Sequence, residues 1–315
     1  MADTLPTRDA EPTLQLIRDL RRPGPLTEDQ MAAALQFRRP ALPEVPEQPP
    51  RWDDLQILPA QLATKPLAET QPVDTSLVLG GGREKPHHLA TPLLVELDGS
   101  GQAAHGWLKD ESAGLQVLSE GGTFDPRGDG SLYVRYEALV DERIGKPYRA
   151  GMRMVPVPVG VRLGPDDLEG AMKKSLQLGA NFFILDAGAH SIAGLARARR
   201  SLDALGVADR VALIIAGDLR TPMDFIKALS LGADGVLVAR STIEATRRMD
   251  TRQGPDQLRE RLSTFIHNSI ILMNVMARAC GHASFSDFHI SNLTTWHPSM
   301  AEISGVQYSG YTAVP

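Results

Sequence analysis

Apolar and polar positions change rhythm partway along the chain. After Val155 four apolar runs, Val155 to Val161, Phe182 to Asp186, Val211 to Ala216 and Val236 to Ala239, are each followed by sequence of helical character. Short apolar runs separated by helices of about ten or more residues predict strands that pair in parallel, in a barrel or a doubly wound sheet. Upstream the pattern is weaker. Leu93 to Leu97, Leu115 to Ser119 and Leu132 to Tyr136 read as strands, with a helix around His105 to Gly114 between the first two. Seven barrel strands are therefore expected, one short of ordinary eight-strand closure.

An internal repeat supports the alternation. Leu178-Gly179-Ala180-Asn181 and Leu231-Gly232-Ala233-Asp234 each end a helix and launch a strand, and glycine suits the left-handed position just past a helix end. Leu77-Val78-Leu79 with Gly80-Gly81-Gly82 reads as a short strand and turn. A long apolar helix is expected from Asp256 to Ala279, ended by Gly281, and Asp287 to Gly310 reads as loop-rich and packed.

Residues 1–50 hold nine prolines and two short amphipathic stretches, one with Leu14, Ile17 and Leu20, the other with Met31, Leu35 and Phe37. Such a segment cannot bury a core of its own. The expected organisation is an extended Pro-rich arm over 1–50, a lead-in segment packed on the barrel over 51–90, the barrel over 91–285 and a packed C-terminal tail over 286–315. The arm is either a self-packed tail or a docking segment for a protein partner, and a homo-oligomer is the other association considered.

Composition narrows the function classes. With 42% apolar and 23% charged residues the chain is ordinary for a globular protein, and no apolar stretch is long enough to span a bilayer. The start at Met1-Ala2-Asp3 lacks the basic and apolar regions of an export signal, so the expected location is cytoplasmic. A net charge of −5 gives no footprint for nucleic acid. The single cysteine, Cys280, excludes a disulfide within the chain and an all-cysteine iron–sulfur cluster; its apolar helical surroundings suit a packed thiol.

In phosphate-binding barrels the phosphate rests on backbone N–H groups in the loops after the last two strands, beside a helix N-terminus. The matching segments are Ile215 to Pro222 and Val238 to Thr242, where Pro222 suits the first turn of a helix. Other candidates carry a functional and a plainer reading side by side. Glu120, in a glycine loop with Gly121 and Gly122, reads as a general acid or base or as a solvated carboxylate. Asp186 ends a strand at the face where barrel enzymes work, as a catalytic group or a helix cap. His190 follows it. His87 and His88 lack a third ligand at metal spacing, and Arg197, Arg199 and Arg200 read as a solvated helix face or a docking patch.

The stretch AGDLRTPMDFIKALSLGADGVLVARST resembles the equivalent part of the flavin domain of glutamate synthase and its stand-alone relatives. So do Thr91-Pro92-Leu93-Leu94, Glu120-Gly121-Gly122, the segment Ala277 to His282, Leu293 to Trp296 and Tyr308-Ser309-Gly310. The resemblance implies a (β/α)8 TIM-type barrel, here incomplete or distorted, that holds FMN and passes electrons to the imine formed from 2-oxoglutarate and ammonia. By position Gly217, Asp218, Arg220, Arg240 and Ser241 would line the phosphate end, with Glu120 near the substrate. Another flavin or nucleotide barrel, of the hydroxyacid-oxidase or nucleotide-dehydrogenase kind, shares the glycine turn and the Leu-Gly-Ala-Asp unit but not the C-terminal segment.

The departures from the family gather where ligands sit. Asp218 and Arg240 stand where the family has glycines, and Arg240 is read as pairing with Asp218 or with a phosphate. Asp186-Ala187-Gly188-Ala189-His190 replaces a longer glycine-rich loop, and Lys146 to Gly151 is a shortened echo of a Lys-Pro-Gly loop. No cysteine triad exists to bring electrons through an iron–sulfur cluster. The expectation is a glutamate-synthase-like barrel with an eroded site acting as a non-catalytic subunit, with an FMN oxidoreductase as the alternative.

Overall fold

The computed structural model describes residues 50–58, 67–68, 70–80, 86–97, 114–117, 131–143, 145–154, 158–164, 167–238 and 255–309. In chain order these form β1 (Leu55–Ile57), β2 (Leu77–Leu79), β3 (His87–Leu89), β4 (Leu93–Leu97), β5 (Gly114–Val117) and β6 (Ser131–Arg135), then α1 (Tyr136–Val140) and α2 (Gly145–Met154). Regular alternation follows, with β7 (Val159–Leu163), α3 (Leu168–Gln177), β8 (Phe182–Asp186), α4 (Ser191–Ala204), β9 (Ala212–Ala216), α5 (Pro222–Ser230) and β10 (Gly235–Val238). Last come α6 (Pro255–Ala279), β11 (Leu293–Thr295), α7 (Pro298–Ser304) and β12 (Gln307–Tyr308). The helix expected around His105 and the arm up to Pro49 lie outside the described residues.

Strands β4 to β10 pair in parallel, each with the next, and β10 returns to β4, so the sheet closes into a barrel of seven strands. Among the described residues the strand count read from the sequence holds, and the sheet closes without an eighth strand. Side chains explain how a narrow barrel is filled. Along one row of the ladder Tyr133, Gly160, Phe182 and Ala212 stand side by side, and along another Asp186, Ala216, Leu237 and Leu94. In the first row large and small residues alternate, so the rings of Tyr133 and Phe182 fill the axis beside Gly160 and Ala212 without crowding. The hairpin β2–β3 closes the N-terminal end, with Leu77, Leu79 and Leu89 joining Leu94, Phe182, Ile184 and Ile214 in one buried cluster.

Two expectations need correction. The strand expected over Val155 to Val161 is described as Val159–Leu163, Pro158 having no N–H to give the ladder, and residues 155–157 lie outside the described residues. Lys146 to Gly151 is not a loop but part of α2, where Tyr148 is buried and Arg149 donates to Leu139 O at 2.7 Å.

Helix α5 is buried from Asp224 to Ser230, unusually for a barrel helix with one face outward. The segment after Arg51 covers it, tied down where buried Lys227 Nζ donates to Trp52 O at 2.7 Å. That segment continues into β1, which pairs antiparallel with β11, and β11 pairs in parallel with β12.

The Leu-Gly-Ala-Asx repeat is a staple. Gly179 and Gly232 take φ of 100° and 106°, left-handed values that follow each helix end. Asn181 Oδ1 then accepts from Val159 N at 3.1 Å, and Asp234 Oδ2 from Leu213 N at 2.7 Å, so each clasps the start of the preceding strand. The second staple carries a charge that the first lacks. Burial pushes the Asp234 carboxyl above its ordinary range, although the Leu213 N–H and Arg199 pull the other way. An acid whose folded pKa is raised supports folding most when protonated, and that support fades as pH rises. Asp234→Asn keeps the acceptor without the charge. Its melting temperature is expected to exceed the parent's at pH 7, with the gap closing as pH falls toward the unfolded value of 3.8; calorimetry across pH checks this, and a gap that widens in acid would refute it.

Candidate functional site

The C-terminal end of the barrel is where a phosphate or substrate would sit. Strand β9 ends at Ala216 and the turn Gly217 to Thr221 leads into α5, with Pro222 in its first turn as the sequence suggests. The turn is organised by its own side chains. Asp224 Oδ2 accepts from Arg220 N at 3.1 Å and Thr221 N at 3.0 Å, and Thr221 Oγ1 accepts from Asp224 N at 3.3 Å. This capping box places a buried carboxylate on the helix N-terminus, where a phosphate would otherwise rest. Asp218 and Arg220 form a fork-to-fork pair, Nε to Oδ1 at 2.7 Å and Nη2 to Oδ2 at 2.6 Å, on an exposed surface. The Asp218 carboxylate raises the Arg220 pKa further, fixing the cation in its charged form. Asp218 thus pairs with Arg220, two residues along the same turn. Arg240 and Ser241 lie outside the described residues.

At the mouth of the barrel stands an arrangement that the sequence reading missed. Arg162, on β7, donates to Asp186 Oδ2 from Nε at 3.2 Å and from Nη2 at 2.5 Å, and its Nη1 reaches Tyr133 Oη at 3.3 Å. Three adjacent strands, β6, β7 and β8, supply one residue each, and parity brings them together. Gly160 stands in the ladder between the buried, lumen-facing rings of Tyr133 and Phe182, so Arg162, two residues on, points the same way. A charge at the fourth position of the otherwise apolar Val159–Leu163 is the signal that could have revealed it. Asp186 makes no cap hydrogen bond to the following helix, so the capping role considered for it is replaced by this ion pair.

The remaining candidates disperse. Glu120, Gly121 and Gly122 lie outside the described residues. His190 is exposed at the N-cap of α4 and makes no cap bond with its side chain. His87 and His88 are on β3 at the opposite end, where burial lowers the His87 pKa, and among the described residues no group of three metal-ligating side chains occurs. Cys280 is buried, as a packed thiol should be. Arg197 and Arg200 are exposed, as a solvated face requires, and Arg199 is half-buried. Arg199 lies 3.5 Å from Asp203 and 3.6 Å from Asp234, and Arg200 donates to Ile303 O at 3.1 Å, tying α4 to α7. A cleft of about 680 Å³ opens near these groups, lined by Leu77, Arg199, Asp234 and Phe285. It lies at the N-terminal end of the barrel, away from the phosphate turn.

The fold is a parallel β/α barrel shared with flavin and nucleotide enzymes. A flavocytochrome b2 variant with pyruvate bound superposes with a TM-score of 0.57 at 14% identity, over 99% of this chain and 95% of that one. The flavin-binding domain of baker's yeast flavocytochrome b2 gives 0.56 at 13% identity, over 84% and 79%. Inosine 5′-monophosphate dehydrogenase from Legionella pneumophila gives 0.54 at 13%, over 80% and 100%. At such identities the likeness is one of fold. The more particular match is in sequence: residues 179–249 fit the family model described as a conserved region in glutamate synthase, which bears out the resemblance read from that stretch. No curated protein matches the chain. Among the described residues no helix is long and apolar enough to cross a membrane.

Held against this geometry, FMN fits poorly at the described half of the phosphate end. A phosphate dianion needs free N–H donors and an available cation. The Gly217–Thr221 turn instead presents the carboxylates of Asp218 and Asp224, and its one cation, Arg220, is engaged by Asp218.

Proposed function

We propose that this chain is a glutamate-synthase-like barrel that serves as a non-catalytic subunit of a larger assembly, its flavin site given over to internal ion pairs. One observation carries the reading: in the turn that should cradle phosphate, Asp224 takes the N–H groups of Arg220 and Thr221, and Asp218 takes the arginine. Losing ligand groups from loops while strands and helices persist is the pattern of a scaffold outliving its chemistry.

The test is direct. Gently purified full-length chain is expected to show no flavin absorption bands, and added FMN is expected to keep its free fluorescence at micromolar protein. A stoichiometrically yellow protein would overturn the scaffold reading. The second reading, an FMN-dependent oxidoreductase of glutamate synthase type, has Arg162 in its favour, since a cation at the inner rim of a barrel mouth suits an anionic ligand. On that reading the yellow protein would reduce the imine of 2-oxoglutarate and ammonia.

A further inference from the structure

The cleft at the N-terminal end of the barrel is lined by two polar groups that the fold leaves under-used. Its volume of about 680 Å³, against α4, the C-terminal end of α5 and residues 284–290, is of the size that small-ligand sites have. The first group is Arg199, half-buried on α4. Among the described residues its contacts run to Asp203 at 3.5 Å, to Asp234 at 3.6 Å and to Gly232 O at 3.5 Å. Charge-assisted bonds are normally about 2.7–2.9 Å long, and Arg220 meets its own acid at 2.6 Å. The Arg199 guanidinium therefore stands beside two carboxylates and is closely bonded to neither. Packing holds it there, since its stem lies so near Gly232 that a Cβ on the glycine would come within 2.8 Å of Arg199 Cγ.

The second group is Ser230, the last residue of α5. It is 1% exposed, it lines the cleft, and its Oγ has no hydrogen-bond partner among the described residues. Buried hydroxyls are nearly always bonded, and in a helix the carbonyl four residues back is the ready acceptor. Ser175 takes that bond, to Ala171 O at 2.7 Å. Ser230 does not.

Charge decides what these groups can hold. A carboxylate or phosphate brought to Arg199 would meet Asp203 and Asp234, both within 3.6 Å of the guanidinium. An ammonium brought to those acids would meet the guanidinium. Either repulsion is strong at such range. A carboxamide meets neither: its carbonyl oxygen accepts from the guanidinium, its N–H donates to the carboxylate alongside, and it brings no net charge. The Ser230 hydroxyl can donate or accept, and Leu77, Phe285 and Phe288 supply an apolar wall for a substituent. We propose that this cleft binds a neutral carboxamide carrying an apolar group, its carbonyl on Arg199 and its N–H on Asp203 or Asp234. The proposal is independent of whether the opposite end of the barrel holds flavin.

Three compounds of nearly one shape separate the chemistries: benzamide, benzoate and benzylamine, each titrated into the full-length chain and read as a rise in melting temperature. Benzamide is expected to bind with a Kd of about 1 mM, as suits a ligand of so few atoms, and both charged compounds at least about tenfold more weakly. N-acetylphenylalaninamide locates the source of the amide. Tighter binding than benzamide assigns a peptide segment as the ligand, and equal or weaker binding a small molecule. Ser230→Ala removes a hydroxyl that bonds to none of the described residues, so it is expected to melt with the parent in buffer and yet lose about fivefold in benzamide affinity. Arg199→Met is expected to lose about tenfold or more. A parent that binds benzamide no better than benzoate or benzylamine overturns the proposal. So does a parent that binds neither amide, or an affinity that either variant leaves unchanged.

Discussion

Gly160→Ala is expected to be among the most damaging single-methyl additions this protein can receive. An added Cβ would overlap Cε2, Cζ and Cδ2 of the Phe182 ring, an approach that real side chains do not make. The ring cannot step aside cheaply, because Phe182 is fully buried and stands in the ladder between Gly160 and Ala212. On the far side of Gly160 the neighbouring position is Tyr133, also fully buried. The glycine is therefore the gap into which one of two flanking aromatics leans. Overpacking of this kind costs about 1–3 kcal/mol, and the upper end is expected because a strand backbone and a ring edge would both have to move. In a domain of this size that is a fall in melting temperature of about 5–10 °C. Phe182→Leu in the same chain removes the clashing edge, so the double variant is expected to be less destabilised than the two single losses added together, a coupling that calorimetry of all four proteins measures. A Gly160→Ala chain that melts with the parent would show that the interior is not packed as described.

The same row of residues shows what the sequence could and could not convey. Strands β8, β9 and β10 are legible almost to the residue, because each is a continuous apolar run following a helix, and burial on both faces leaves no other use for such a run. The Leu-Gly-Ala-Asx units were legible as helix ends, although their second task, clasping the neighbouring strand, depends on a register that no linear pattern carries. The start of β7 was misplaced by reading apolarity without asking which residues can donate; Pro158 held the answer. Lys146 to Gly151 resembles a shortened Lys-Pro-Gly loop, whereas Tyr148 and Met152, one helical turn apart and both buried, mark a helix face.

The site was less legible than the fold, for a physical reason. Arg240, expected to pair with Asp218 or with a phosphate, lies outside the described residues. Within them Asp218 pairs with Arg220, two residues away, and a tight turn makes such a pair easy to form. Conversely Arg162, Tyr133 and Asp186 converge across three strands. Nothing local in the sequence links them; only the parity of each strand and the closure of the sheet do.

That convergence sets the last expectation. Arg162→Met removes the cation and leaves Asp186 facing the barrel mouth without its partner. With the arginine side chain only 19% exposed and the aspartate 40%, the loss should fall below that of a fully buried pair, at about 1–3 kcal/mol. Adding Asp186→Leu to Arg162→Met should recover much of it, since two apolar groups need no compensation. The opposite single change behaves differently. Asp186→Asn keeps the shape but takes the carboxylate charge away from the guanidinium, which Tyr133 Oη also meets. Sulfate is therefore expected to raise the melting temperature of Asp186→Asn by more than it raises that of the parent, and to have no such extra effect on Arg162→Met. Equal responses in all three would mean that the arginine does not face the mouth. A selective response in Asp186→Asn would show that the barrel still holds a cation where a ligand could meet it, kept closed by its own aspartate.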